Sequence, residues 1–214
     1  MKIFKNLTIL ATLYFLGVTF LYAASGSGLA TVYKINVNKL ELCETGSSLT
    51  TCLNPITVSK AGLSTDVDLA SITAGEAAAT LGNFGLAKSG VTYTYVQMTM
   101  NRAITIKGSA TADSTVCYTK GDGNLNGTHG VAETTSGDST EATLYVPPFV
   151  DPTNYPQINS VGDATGAGAR IAGTVNASDT HFQARQALAA PFILDPTAIP
   201  TVKVAFGTAT AVTV

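Results

Sequence analysis

The 214-residue chain has no tryptophan, two histidines and three cysteines, and its charged residues make up only 12% of the total. That is about half the usual share of roughly 25%. Each shortage closes off a class of function. Without a basic excess there is no field to hold a polyanion, and the formal net charge is −2, so nucleic acid is not an expected partner. Disorder requires low hydrophobicity with high net charge, and the hydrophobic content of 45% contradicts it. The charged heptads of a coiled coil are missing. Neither His129 nor His181 stands in metal-ligand spacing with another His or Cys. No Gly-x-Ser-x-Gly elbow occurs, and the glycines between Gly162 and Gly168 lack the Lys-Ser/Thr of a phosphate loop and read as a turn. The chain is therefore expected not to be an enzyme.

Long apolar runs are scarce too, and the one that stands out opens the chain. After Met1-Lys2-Ile3-Phe4-Lys5 no charge appears from Leu7 to Leu21, and Tyr22-Ala23-Ala24-Ser25-Gly26 then brings small residues. A basic start, an apolar stretch and a small-residue end are the three parts of a secretory signal peptide. The stretch is about 15 residues long, short of the roughly 20 that span a bilayer. A cleaved signal over residues 1–23 is expected rather than an anchor, with a cut after Gly26 as the alternative, and no stable membrane span remains. Export places the protein in an extracellular, periplasmic or cell-surface setting. Loss of Lys2 and Lys5 takes the net charge from −2 to −4, further from polyanions and anionic lipid. Residues 24–214 are expected to form a single domain. The strand-like ending Thr210-Ala211-Val212-Thr213-Val214 suggests truncation at the C-terminus.

An oxidising compartment allows disulfides. Cys43 and Cys52 flank a polar, Gly-containing linker, and a bridge between them is expected. It would constrain the unfolded chain by about 2.5–3 kcal/mol in the chain-entropy model. The alternative is two unpaired thiols. Cys117 is left over, to lie buried, to pair between molecules or to meet a partner beyond residue 214.

What the chain does have is threonine, glycine and strand patterning. Tyr33, Ile35 and Val37 share one face, and apolarity then shifts to Leu40 and Leu42. A parity flip of that kind predicts a bulge near Asn38-Lys39. Short strands are predicted at Pro55–Val58 and Asp66–Leu69, and the one helix at Gly75–Leu81. The longest strand is predicted over Val91–Lys107. Val96, Met98, Met100, Ile104 and Ile106 occupy its even positions, Gln97, Thr99, Asn101, Thr105 and Lys107 the other face, and Arg102 is the exception on the apolar side. Further strands are predicted at Thr115–Thr119, Ala142–Val146 (ended by Pro147-Pro148), Arg170–Val175 and Val202–Phe206. His181–Leu194 reads better as strand than helix, and Asp151–Thr165 as loop. The expected fold is all-β, an antiparallel β-sandwich of the immunoglobulin or prealbumin kind with one short helix.

Two stretches carry a resemblance. One is Thr31-Val32-Tyr33-Lys34-Ile35-Asn36-Val37-Asn38-Lys39-Leu40-Glu41-Leu42-Cys43. The other is Val67-Asp68-Leu69-Ala70-Ser71 followed by Gly90-Val91-Thr92-Tyr93-Thr94-Tyr95-Val96-Gln97-Met98-Thr99-Met100. Together they resemble exported bacterial β-sandwich domains of unknown function, similar to carboxypeptidase regulatory-like modules. The resemblance covers residues 30–107 and implies a prealbumin-like sandwich in a bacterial envelope or extracellular setting. It implies no functional residue.

One segment fits a chemical template. From Asp122 to Glu133 the sequence follows D-x-[DN]-x-[DN]-G-x5-E. Asp122, Asn124 and Asn126 would supply side-chain oxygens to calcium, Thr128 its carbonyl and Glu133 both carboxylate oxygens. The competing reading is a Gly/Asn/Asp turn. Asp66 and Asp68 read as a solvated strand face, and Tyr93 and Tyr95 as neighbours on one face, stiffening the sheet or stacking on a sugar. Two roles are left. The first is a secreted or envelope protein with a structural, adhesive or self-assembling function, with exposed strand edges available for strand addition. The alternative is an extracellular carbohydrate-binding module, calcium-assisted if the Asp122–Glu133 segment is a calcium loop.

Overall fold

The computed structural model describes residues 26–60, 63–71, 81–126, 131–133, 139–168, 170–195 and 212–213. The expected signal peptide, the helix before Leu81, the strand over Val202–Phe206, Thr128 and His129 lie outside the described residues. Among the described residues fourteen strands follow one another: β1 Ser27–Gly28, β2 Ala30–Glu44, β3 Ile56–Thr57, β4 Thr65–Asp68, β5 Thr92–Asn101, β6 Ala103–Ala112, β7 Thr115–Gly121, β8 Val131–Glu133, β9 Ala142–Tyr145, β10 Phe149–Val150, β11 Ile158–Val161, β12 Thr174–Val175, β13 His181–Ile193 and β14 Val212–Thr213. Short 3-10 turns at Leu69–Ser71 and Phe84–Leu86 are the only helical elements among the described residues. None of these is long and apolar enough to cross a membrane.

Twelve strands belong to one open sheet, and β1 pairs with β14 separately. The fold is all-β, as expected. It is mixed rather than wholly antiparallel, because β11 and β12 pair in parallel. β2 is the axis. β5 and then β6 run along one of its edges, β3 and β4 along the other. β13, β11, β12 and β10 continue the sheet beyond β5, and β9 and β7 flank β6.

The bulge expected in β2 is present. Val37 pairs with Met100 and Lys39 with Thr99, so Asn38 is the extra residue. It moves the buried set from Ile35 and Val37 to Leu40 and Leu42. A second bulge was not visible in the sequence. Glu44 faces Tyr93 and Cys43 faces Tyr95, which makes Thr94 the extra residue in β5. Tyr93 therefore turns into the core, fully buried and stacked on Phe192 at 6.1 Å, while Tyr95 stays half-buried. The two tyrosines do not share a face.

The long strand expected over Val91–Lys107 is broken at Arg102, giving β5 and β6. The Arg102 amide donates out of the ladder to Thr180 O at 2.9 Å. The β6–β7 turn follows at Asp113 and Ser114, both left-handed with φ of 44° and 66°, a geometry that matches the twist of the flanking strands. Two other readings change. The polar stretch Asp151–Thr165 is not all loop, since β11 lies inside it, paired with β13. Only Thr174–Val175 of the Arg170–Val175 segment is strand. β13 confirms the strand reading of His181–Leu194, and Pro191 sits in an excursion between Ala187 and Phe192 where no ladder bond is required of it.

The main core gathers Val37, Leu40, Leu42, Val58, Tyr93, Val96, Met98, Met100, Phe182 and Phe192 on one face of the sheet, each large side chain contributing about 1.5–3 kcal/mol of burial. Cys43 and Cys52 are bridged, with Cα atoms 5.1 Å apart. The bridge pins the Glu44–Leu53 loop, which is also closed by a Glu44 N bond to Leu53 O at 3.0 Å.

Candidate functional site: a buried polar sheet face

Alternation along β5 puts Val96, Met98 and Met100 in the core and sends Tyr95, Gln97, Thr99 and Asn101 to the opposite face. Neighbouring strands extend these positions into rows. Cys43, Tyr95 and Ala187 form one row, and Glu41, Gln97 and Arg185 the next. Lys39, Thr99, Gln183 and Asn159 follow, then Asn101, His181 and Val161. An outer sheet face is normally wet. Here Glu41, Gln97, Thr99, Asn159, Gln183 and Arg185 are all buried, Arg185 with 7% exposure.

Some of these groups satisfy one another. Lys39 Nζ pairs with Glu41 Oε1 at 2.6 Å, and Gln97 Nε2 donates to Glu41 Oε2 at 2.8 Å. Arg185 Nη2 donates to Asn159 Oδ1 at 2.8 Å and to Gln183 Oε1 at 3.4 Å. Others have no hydrogen-bond partner among the described residues: Gln97 Oε1, Thr99 Oγ1, Asn101 Oδ1, and Nε and Nη1 of Arg185. A buried polar atom without a partner costs about 1–3 kcal/mol, so a run of them along one face demands an explanation. Burial pushes the Arg185 pKa down, and the charge of Glu41 pulls it back up.

The Gly162–Gly168 turn closes one side of this face. Asp163 Oδ1 accepts from the amide and hydroxyl of Thr165, at 2.8 and 2.6 Å, and these bonds hold the Asp163 carboxyl below the usual range. Lys39 Nζ donates to Thr165 O at 3.2 Å. Gly166 has φ +85°, and a Cβ there would stand 2.8 Å from Gln183 Nε2. Glycine is needed both for the backbone and for the close approach. On the opposite side the face opens, because Tyr95 is half-buried and Ala187 exposed.

Beside it lies a second polar centre. Arg102 is fully buried, and its guanidinium donates to the carbonyls of Val146, Asn176, Ala177, Asp179 and Leu125 at 2.6–3.3 Å. Asp179 is buried as well. Its carboxylate accepts from Arg170 Nε at 3.2 Å and from the Ser160 hydroxyl at 2.5 Å. Ser160 is fully buried, donates to Asp179 and accepts from Asn176 N at 2.9 Å, so its hydroxyl serves as an internal tie.

Of the residues proposed for calcium, Asp122 Oδ1 accepts from Thr143 N at 2.6 Å, and Asn124 Oδ1 from Asn126 N at 3.0 Å. The first ties the loop to β9, 21 residues further on, and only the second is the bond of a turn. The backbone of Glu133 pairs with Tyr118 in β8. No group of three or more His, Cys, Asp or Glu able to hold a metal occurs among the described residues. Asp66 is exposed and accepts from Asn36 Nδ2 at 2.6 Å, while Asp68 Oδ1 accepts from the amides of Tyr33 and Ala70. Asp66 lies on the solvated face expected of the pair, whereas Asp68 is half-buried and ties two backbone amides. Cys117 is free and half-buried.

Sequence reasoning placed Gln97, Thr99 and Asn101 on the right side of β5 but as an ordinary outer face. One signal was there to read: these positions hold amides and a hydroxyl, where a wet face usually carries Lys and Glu. The chain matches no known family model, no curated protein and no solved structure.

Proposed function

We propose that the protein is an exported, non-enzymatic β-sandwich module of the bacterial envelope or exterior with an adhesive role, and that it binds carbohydrate on the polar sheet face. The observation that carries this reading is the half-buried ring of Tyr95 beside exposed Ala187, at the rim of a sheet face lined with amides, a hydroxyl and a guanidinium. Sugar sites combine an aromatic platform with a few fixed donors and acceptors. A glycan array run on the mature protein, with and without calcium, tests it. The expected result is a defined set of hits that Tyr95→Ala weakens at least tenfold. Hits that vanish with EDTA would assign calcium to the Asp122–Glu133 segment. An array with no hit in either condition sinks the carbohydrate reading.

A second observation favours self-assembly. At the β10 end of the sheet Val150 and Ile171 are 78% and 80% exposed, next to Tyr155. Exposed apolar side chains gathered at one end of a sheet favour burial against a second copy. Sedimentation of the mature protein across a hundredfold concentration range is expected to show association that Val150→Lys abolishes. A strictly monomeric protein at every concentration rejects that reading.

A further inference from the structure

We propose that the protein cross-links itself through an amide bond between Lys39 Nζ and the side-chain carbonyl carbon of Gln97, formed with loss of ammonia and with Glu41 as the base. The inference does not rest on the carbohydrate reading. Lys39 and Glu41 lie on β2, with Thr99 and Gln97 opposite them on β5. Lys39 and Gln97 are therefore diagonal neighbours on one face, a separation that long side chains bridge. The carboxylate of Glu41 joins them. Its Oε1 pairs with Lys39 Nζ at 2.6 Å, and its Oε2 accepts from Gln97 Nε2 at 2.8 Å. One buried carboxylate thus holds an amine and a carboxamide together. A bond from Nζ to Thr165 O at 3.2 Å steadies the amine. On the other side of Gln97, in the same row, stands Arg185 of β13. Among the described residues Gln97 Oε1 has no hydrogen-bond partner, and neither have Nε and Nη1 of Arg185.

An ion pair and a hydrogen bond account for Lys39 and Glu41 but leave Gln97 Oε1 and two nitrogens of Arg185 idle. One reaction uses them all. Glu41 takes a proton from the Lys39 ammonium, and the free amine attacks Gln97 Cδ. The carbonyl electron pair moves onto Oε1, beside the unused donors of Arg185, which suit an oxyanion. The carbonyl then reforms as the bond from Cδ to Nε2 breaks. The amide nitrogen leaves as ammonium, carrying the two protons that Lys39 gives up, and Glu41 ends as it began. One carbon–nitrogen bond replaces another, so neither an oxidant nor a second reactant is required. No molecule has to enter the face, and its burial keeps water from competing for Cδ. The Lys39 side chain, 25% exposed, marks the way out for ammonium. The three side chains stand unjoined in the structure, as they do before the reaction. The strands they would tie, β2 and β5, are neighbours in the middle of the sheet. Closing the chain between residues 39 and 97 constrains the unfolded state as a disulfide does.

Intact-mass spectrometry of the mature protein, followed by trypsin digestion, tests this. The expected mass is one ammonia below that of the disulfide-bonded sequence. Trypsin is expected to leave Lys39 uncut and to yield one branched peptide, residues 35–60 joined to residues 89–102. Glu41→Gln keeps the shape of the side chain and removes the base, so it is expected at full mass with Lys39 cut. Lys39→Arg is the second variant. It retains a cation for Glu41 and so keeps the fold, and it too is expected at full mass. Its melting temperature should drop by about 10 °C, the order for losing a link that closes the chain. A wild-type protein at its full sequence mass overturns the proposal and leaves the three residues as an ion pair and a hydrogen bond. Ammonia lost while trypsin still cuts after Lys39 overturns it as well, because the loss then belongs to another amide. A Glu41→Gln protein that still gives the branched peptide overturns the part assigned to Glu41.

Discussion

Replacing Arg102 by Met is expected to destabilise the protein by about 3–5 kcal/mol, the range for removing one partner from a buried charged network. Swapping a whole buried ion pair for apolar residues can be neutral, because both partners go. That escape is closed here. The partners are backbone carbonyls of Leu125, Val146, Asn176, Ala177 and Asp179, and no substitution removes them. Each carbonyl left without a donor in the interior costs about 1–3 kcal/mol, though relaxation and water entry recover part of it. Arg102→Lys keeps the charge but offers three donors from one point where a planar fork served five oxygens. It should recover less than half the loss. Urea unfolding of the mature protein at pH 7 measures both, and a loss below about 1 kcal/mol for Arg102→Met would falsify the reading of this residue as the tie between these segments.

The next largest effect is expected at Asp179. Asp179→Asn removes the ionic part of the contacts with Arg170 and the countercharge nearest to Arg102, at a cost of about 2–3 kcal/mol near neutral pH. Here pH supplies an independent check. The Arg170 hydrogen bond, the Ser160 hydroxyl and the charges of Arg170 and Arg102 hold the Asp179 carboxyl below its ordinary pKa, against the opposing effect of burial. A carboxyl with a lowered folded-state pKa contributes its stability above the unfolded value, about 3.9, and loses it as pH falls through the folded one. The gap between wild type and Asp179→Asn should therefore be full at pH 7 and 5 and shrink below about pH 4. Urea midpoints at pH 7, 5 and 3 measure it, and a gap that stays constant down to pH 3 would assign the loss to packing rather than charge.

Much of the fold was legible in the sequence, for physical reasons that also explain the misses. Parity along a strand is a local property. The bulge at Asn38, the paired cysteines and the alternation from Val96 to Ile106 could be read directly. A bulge inside an aromatic run is silent, since Tyr93 and Tyr95 suit either face, and the turn at Thr94 only becomes visible opposite Cys43 and Glu44. β11 was missed because Ile158-Asn159-Ser160-Val161 has the composition of a loop. Its polar side chains are buried because distant residues satisfy them, Asn159 through Arg185 and Ser160 through Asp179. Arg102 showed itself as an anomaly in the pattern, but its function as a tie depends on carbonyls between 20 and 80 residues away in sequence. The polar face was hidden for the same reason: each strand contributes only two to four of its residues.

The bulge at Asn38 has a consequence for how the chain tolerates length changes. Upstream of it the odd positions of β2 point to the core, and downstream the even ones do. One residue thus works as a frame setter, and the identity of both faces beyond it is stored in a count rather than in any contact. Deleting Asn38 alone would leave Val37 opposite Met100 and Lys39 opposite Thr99, a regular ladder with every side chain from Lys39 to Glu44 still on its own face. Keeping Asn38 in a regular ladder would do the opposite, sending Leu40 and Leu42 among Thr99 and Gln97, and the Lys39–Glu41 pair into the methionines. A chain built this way can lose that one residue without exchanging its faces, and what goes with it is the local bend and twist that the bulge adds.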